Sequence, residues 1–209
     1  MAKLFAIGDI HGCLLKLKNL MAGIEVDDRQ DSIIFLGDYI DRGPESRGVV
    51  EFIIDFKKSR GNVFCLMGNH EEVFVDYLKY GINKETLLIN GGFSTLVSYN
   101  FPDVIEDLPE SHLAFFASLI PYYETDRYIF VHAGLRPGIP LDQQKQEDLL
   151  WIRGEFIGSH YDFGKTVVFG HTHFSRPLIE ANKIGIDTGA VYGGKLTCME
   201  LPGKRIYQS

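Results

Sequence analysis

The chain has 209 residues, of which 45% are apolar, 12% aromatic and 23% charged, the make-up of one globular domain with a substantial core. Its formal charge of -7 argues against non-specific binding to nucleic acid or to an anionic membrane, both of which need a basic face. Cys13, Cys65 and Cys198 lack Cys-x-x-Cys spacing, which excludes a thiolate metal or redox motif and reads as free thiols in a reducing cytoplasm.

The run from Met1 to Ile7 is interrupted by Gly8 and Asp9, too early for a signal-peptide core, and no run approaches the length of a membrane span, so a cytoplasmic protein is expected. Leu4 to Ile7 reads as a strand, and leucines at 14, 15, 17 and 20 follow near a helical period. The loop between them holds Asp9-Ile10-His11 flanked by Gly8 and Gly12. Residues i and i+2 of an extended segment share a face, so Asp9 and His11 can address one ion. Taken alone, a turn with two polar residues explains that loop equally well.

Ile33 to Leu36 leads into Gly37-Asp38-Tyr39-Ile40-Asp41-Arg42-Gly43, and Val49, Val50, Ile53, Ile54 and Phe56 mark an amphipathic helix over 45–58. A core has no use for Asp38, Asp41 and Arg42 so close together, because buried charges are costly unless paired or bound to metal. Tyr39 and Ile40 are expected to point into packing. Val63 to Met67 then ends in Gly68-Asn69-His70-Glu71. Three strand-loop-helix units in succession predict a parallel sheet with its polar loops along one edge.

Residues 72–125 turn helical, with breaks at Asn90-Gly91-Gly92 and Phe101-Pro102, and a helical cap is expected there within a single domain spanning 1–209. His112 lacks a Gly-flanked loop and is expected at a surface or helix-end position. Tyr128 to Val131 leads to His132-Ala133-Gly134, and Val167 to Phe169 leads to Gly170-His171-Thr172-His173, with Leu149 to Arg153 between them. Strand signals at 184–189 and 195–201 close the chain. His160 matches no motif.

Five apolar runs thus end in loops that hold five of the seven histidines and three aspartates. Asp, Asn and His without Cys suit divalent Mn, Fe, Zn or Mg. Asp9, His11 and Asp38 on one side, with Asn69, His132 and His171 on the other, supply ligands for two ions, and Asp38 is the natural bridge. Two metals about 3.5–4 Å apart acidify a shared water, hold it as hydroxide for in-line attack on phosphorus, and stabilise the leaving oxygen. Arg42 and Arg153 suit the non-bridging phosphate oxygens, because guanidinium meets phosphate bidentately. His70, oriented and kept cationic by a carboxylate such as Asp41, suits the acid for the leaving group.

Together these loops resemble the motif set of the calcineurin-like metallophosphoesterases, and Gly-Asp-x-x-Asp-Arg-Gly with Gly-Asn-His-Glu resembles its phosphoprotein phosphatase branch. The stretch 186–194 is similar to bacterial and phage members and to diadenosine tetraphosphatases. The resemblance implies an α/β fold, a central β-sandwich flanked by helices (α/β/β/α), and a two-metal site with manganese foremost and Fe, Zn, Mg or Ni as others. By position it puts Asp9, His11 and Asp38 on the first metal and Asp38, Asn69, His132 and His171 on the second. His70 and Asp41 become the acid pair, and Arg42, Asn69 and Arg153 surround the phosphate. The Gly-His-x-His form of the wider superfamily adds His173 to the first metal.

The implied activity is that of a bacterial-type Ser/Thr protein phosphatase acting on phosphoproteins, phosphopeptides or small phosphoesters, with no nucleic-acid or membrane partner. Hydrolysis of a dinucleoside polyphosphate at the same site is the alternative. A non-catalytic scaffold predicts a damaged motif position, and none is found. The Ser-Ala-Pro-Asn-Tyr-Cys segment of eukaryotic protein phosphatases is missing, which speaks against eukaryotic-type partner docking.

Overall fold

The computed structural model describes residues 2–209. Period-two alternation sets up its layers. In β1 (Leu4–Ile7) Phe5 and Ile7 enter one apolar cluster while Ala6 enters another, and in β2 (Ser32–Phe35) Ile33 and Phe35 separate from Ile34 in the same way. Two crossover helices, α1 (Leu14–Ala22) and α2 (Ser46–Lys58), let β1, β2 and β3 (Val63–Cys65) pair in parallel, Leu4 opposite Ser32 and Ile33 opposite Val63. α2 lies on the sheet through Val49, Val50 and Ile53, each worth about 1.5–3 kcal/mol when buried.

The helical stretch is α3 (Asn69–Tyr80), α4 (Lys84–Ile89), α5 (Phe93–Ser98) and α6 (Glu110–Ala117). Phe74, Leu87, Leu96 and Phe115 join the same apolar cluster as Phe5 and Val50, so these helices form the outer layer over the first sheet. His112, expected at a surface or helix-end position, lies in the first turn of α6 but is buried: its Nδ1 meets the Tyr99 hydroxyl at 2.8 Å. The helical period of α6 turns it inward beside Phe115 and Phe116.

A second sheet follows from β4 (Tyr122–Glu124) and β5 (Tyr128–Val131), then α7 (Gln146–Trp151) and α8 (Gly154–Ile157), then β6 (Thr166–Phe169), β7 (Leu178–Ile179) and β8 (Lys183–Gly185). Its order is β4-β5-β6-β8-β7, with β5, β6 and β8 parallel. The chain returns through β9 (Thr197–Leu201) and β10 (Arg205–Gln208), giving the first sheet the order β10-β9-β1-β2-β3. β9 alternates between two cores rather than between core and solvent: Cys198 faces the helices, Met199 and Leu201 the opposing sheet.

Phe130, Val168 and Ile184 of the second sheet meet Ala6, Ile34 and Leu36 of the first, while Ile129, Val167 and Phe169 pack outward on Leu149 and Phe156. The result is helix, sheet, sheet, helix, as the resemblance implies. Among the described residues no helix is long and apolar enough to cross a membrane. All three cysteines are free.

Candidate metal centre

The polar loops follow the carboxyl ends of β1, β2, β3, β5 and β6, and parallel pairing within each sheet brings them to one edge. Close backbone approach requires the glycines: Gly37 has φ +100°, and a Cβ there would lie 2.8 Å from the Gly68 nitrogen. His11, Asp38, Asp41, Arg42 and His171 also take positive φ, between 46° and 71°. Such residues are costly, about 1–3 kcal/mol each, and persist only where their surroundings hold them.

Glu71 does much of that holding. Its buried carboxylate accepts the backbone N–H groups of Asp38 at 2.9 Å, Tyr39 at 2.8 Å, Ile40 at 3.3 Å and Gly68 at 3.1 Å. Burial raises its pKa to about 7, and those donors pull the other way. The Asp38 carbonyl accepts from Ile10 and His11, which fastens the first loop to the second. Tyr39 and Ile40 point into the apolar cluster as expected.

Asp38 sits between two groups of mutually close ligand atoms, one with His11 and His70, the other with His132 and His171, all within 4.8 Å in each group. Its two oxygens lie 3.4 Å from His11 Nε2 and 3.4 Å from His132 Nε2. His11 Nδ1 donates to the Ile40 carbonyl and His132 Nδ1 to the Leu36 carbonyl, both at 2.8 Å, which leaves each Nε2 lone pair facing inward. Burial lowers the pKa of His132 to about 3, so that ring is neutral and holds one proton. Yet His132 Nε2 also lies 2.9 Å from Asn69 Oδ1. A lone pair that faces an amide oxygen and a carboxylate is an arrangement a cation resolves.

His171 Nδ1 reaches the same Asn69 oxygen at 3.0 Å, while His171 Nε2 and His70 Nε2 are buried without a hydrogen-bond partner among the described residues. The donors are nitrogen and oxygen, as borderline and hard divalent ions prefer. Asp9 is buried beside this cluster, and its carboxylate accepts the His171 N–H at 2.9 and 3.1 Å. Burial first, then Asp187, raises its pKa. Asp38 is raised likewise by burial, then by Asp9 and Glu71. Crowded carboxylates of this kind fit a site for positive charge.

His70 Nδ1 meets Asp41 Oδ2 at 2.6 Å, the predicted pair. Burial pushes Asp41 up to about 7 and His70 down, with Arg42 and Arg153 pressing His70 the same way. The contact thus favours a cationic ring, and the burial opposes it. Thr95 donates to Asp41 at 2.6 Å, and Arg42 N–H donates to the Gly91 carbonyl at 3.0 Å, so the helical stretch supports this loop from one side. The Arg42 guanidinium reaches His11 Nε2. Arg153, at the start of α8, is exposed and donates to the His171 carbonyl at 3.1 Å, which puts it at the rim.

His173, like Asp9, falls outside both ligand groups, but Asp9 is buried whereas His173 is exposed, its ring 6.0 Å from that of Tyr192. His112 and His160 are not part of the cluster; His160 is exposed. Glu71, Thr95 and Asp187 also meet this cluster or its loops, without belonging to the ligand set that the motifs mark. Glu71 and Asp187 lie in motif stretches, whereas nothing local marks Thr95.

A family model described as calcineurin-like phosphoesterase matches residues 2–175. Similar curated proteins include the asymmetrical bis(5'-nucleosyl)-tetraphosphatase PrpE of Bacillus thuringiensis (strain Al Hakam), 26% identical over 94% of this chain and 89% of its own. Its namesake from a Bacillus cereus strain is 26% identical over 96% of this chain and 91% of its own. A solved putative diadenosine tetraphosphatase superposes with a TM-score of 0.76 at 23% identity, covering 99% of this chain and 92% of that one. A protein serine/threonine phosphatase from Saccharomyces cerevisiae superposes at 0.67 and 17% identity, over 97% and 73%. At these identities the two structures show the shared fold.

Proposed function

The chain belongs to the calcineurin-like phosphoesterase family and is a hydrolase acting on phosphoester bonds, and from that premise we propose that its substrate is a dinucleoside tetraphosphate. The observation that carries the substrate is the match, along 94% of this chain, to relatives named for that activity. This reverses the order in which the motifs alone rank the two substrates.

We assign Asp9, His11, Asp38, Asn69, His132 and His171 to two divalent ions, manganese foremost, and leave out His173 because its exposed ring faces Tyr192. Ions bound there would supply an acidified water and offset charge on the phosphate. The chain's own groups do the rest. Arg42, beside His11, Arg153, at the rim, and Asn69 orient the phosphate oxygens. His70, fixed by Asp41, holds a proton for the leaving oxygen. Asymmetric cleavage of a tetraphosphate bridge releases a nucleoside triphosphate and a monophosphate. A cytoplasmic location accords with the free thiols.

A phosphoprotein phosphatase is the second reading, favoured by the Gly-Asp-x-x-Asp-Arg-Gly and Gly-Asn-His-Glu motifs. Diadenosine tetraphosphate and a phosphothreonine peptide are assayed side by side with manganese, with metal content measured on the same preparation. Cleavage of the dinucleotide to ATP and AMP at far higher kcat/KM is expected. Phosphate release from the peptide with an intact dinucleotide would reject the proposed substrate.

A further inference from the structure

Tyr192 sits where its exposure needs a reason. It ends a short 3₁₀ turn, Ala190–Tyr192, bracketed by Gly189 and Gly193 in left-handed conformation at φ +69° and +87°. The turn is fixed from several sides: Lys16 Nζ donates to the carbonyls of Ala190 at 2.7 Å and Gly194 at 2.6 Å, and Asp187 accepts the Gly189 N–H at 2.9 Å. Thr188 below it donates to the Lys195 carbonyl at 2.6 Å. A rigid turn thus holds an aromatic ring that remains 63% exposed.

The surroundings of that ring tie it to the metal centre. The Arg42 guanidinium carbon lies 5.6 Å from the ring centroid, and the same guanidinium reaches His11. His173 closes another side, its ring tilted 58° to the tyrosine. The platform therefore stands one guanidinium away from a metal-ligand nitrogen, with most of its surface open. A planar π-system attached to a bound phosphate would reach it, and aromatic faces accept any base without reading its edges.

We infer that Tyr192, with His173 at its edge, forms the subsite for the nucleobase nearest the reacting phosphate, and so sets a preference for nucleotide over base-free phosphate. The inference rests on the proposed dinucleotide substrate and is tested apart from it. Binding of AMP and of inorganic phosphate to the manganese-loaded protein is measured by calorimetry for wild type, Tyr192→Phe and Tyr192→Leu. Wild type should favour AMP by roughly tenfold, within the range that stacking one base supplies. Tyr192→Phe should keep that preference, and Tyr192→Leu, which retains bulk without a π face, should lose it while binding the same manganese.

A preference that survives in the leucine variant, disappears in the phenylalanine variant or is missing in wild type would overturn the subsite. A leucine variant whose two affinities fall together would overturn it as well, since the ring would then act by holding Arg42. No turnover is needed. An enzyme inert toward diadenosine tetraphosphate but with a ring-dependent AMP preference rejects the substrate and keeps the subsite; the converse pair of results does the opposite.

Discussion

His70 has one ring nitrogen committed and one available. Nδ1 is held by Asp41 at 2.6 Å, and buried Nε2 has no hydrogen-bond partner among the described residues, so a proton there is oriented toward whatever occupies the cluster. The value of such a proton depends on the leaving group. For an alkyl phosphoester, His70→Asn should lower kcat by about 10²–10⁴-fold, whereas p-nitrophenyl phosphate and a nucleotide leaving group need little protonation and should lose far less. Turnover on the three substrates, with two metals confirmed in the variant, measures this; equal losses would remove the acid role. Arg153 acts at a more exposed place, so Arg153→Ala should raise KM about tenfold and leave metal content unchanged. Unaltered KM and turnover would make it a surface residue that only trims the His171 loop.

Elements matter here because one carboxylate of α3 gathers backbone N–H groups of the loop after β2. Glu71 of α3 accepts four backbone N–H groups, three of them from the loop that carries Asp38. An amide has only one acceptor oxygen, so Glu71→Gln should leave buried donors unpaired, lowering stability by about 1–3 kcal/mol and metal affinity by about 10–100-fold. Urea unfolding and manganese titration report the two effects. That role was hard to read in advance: Gly-flanked loops after apolar runs announce the ligands, but a carboxylate's donors come from another loop and are visible only through space. The same holds for Thr95, more than fifty residues from Asp41, and for His112, whose inward turn depends on how α6 meets Tyr99. The parallel order of β1, β2 and β3 was legible because each crossover carries its own helical period. Short β4 and β10 were not, since three or four residues at a sheet edge show no usable pattern. Burial keeps the pKa of His112 below that of an unfolded histidine, so the unfolded chain takes up the proton first. Stability should be full above about pH 6.5 and fall as pH drops below it. His112→Gln should flatten that part of the pH profile of the urea midpoint, and an unchanged profile would place the titration elsewhere.

At the scale of the molecule, the candidate metal centre is a joint between two sheets. Loops after β1, β2 and β3 bring Asp9, His11, Asp38 and Asn69, and loops after β5 and β6 bring His132 and His171, so ions held by both sets bind the folded chain and not the unfolded one. Without positive charge, burial and mutual repulsion work against the ionised forms of Asp9 and Asp38. Binding confined to the native state stabilises by about 2.7 kcal/mol at a free ion concentration of 100 times Kd. For a chain of this size that corresponds to a rise in Tm of roughly 5–11 °C. Thermal melts across a manganese titration should show the rise in a single transition, because Asp38, the proposed bridge, belongs to ligand groups drawn from both sheets, and EDTA should reverse it. Asp38→Asn, which weakens that shared ligand, should remove most of the shift even if the variant's metal-free Tm is unchanged or higher through relief of charge crowding. A wild-type Tm indifferent to manganese at concentrations that saturate turnover would mean that the ions engage one sheet's loops at a time, and the bridge at Asp38 would have to be given up.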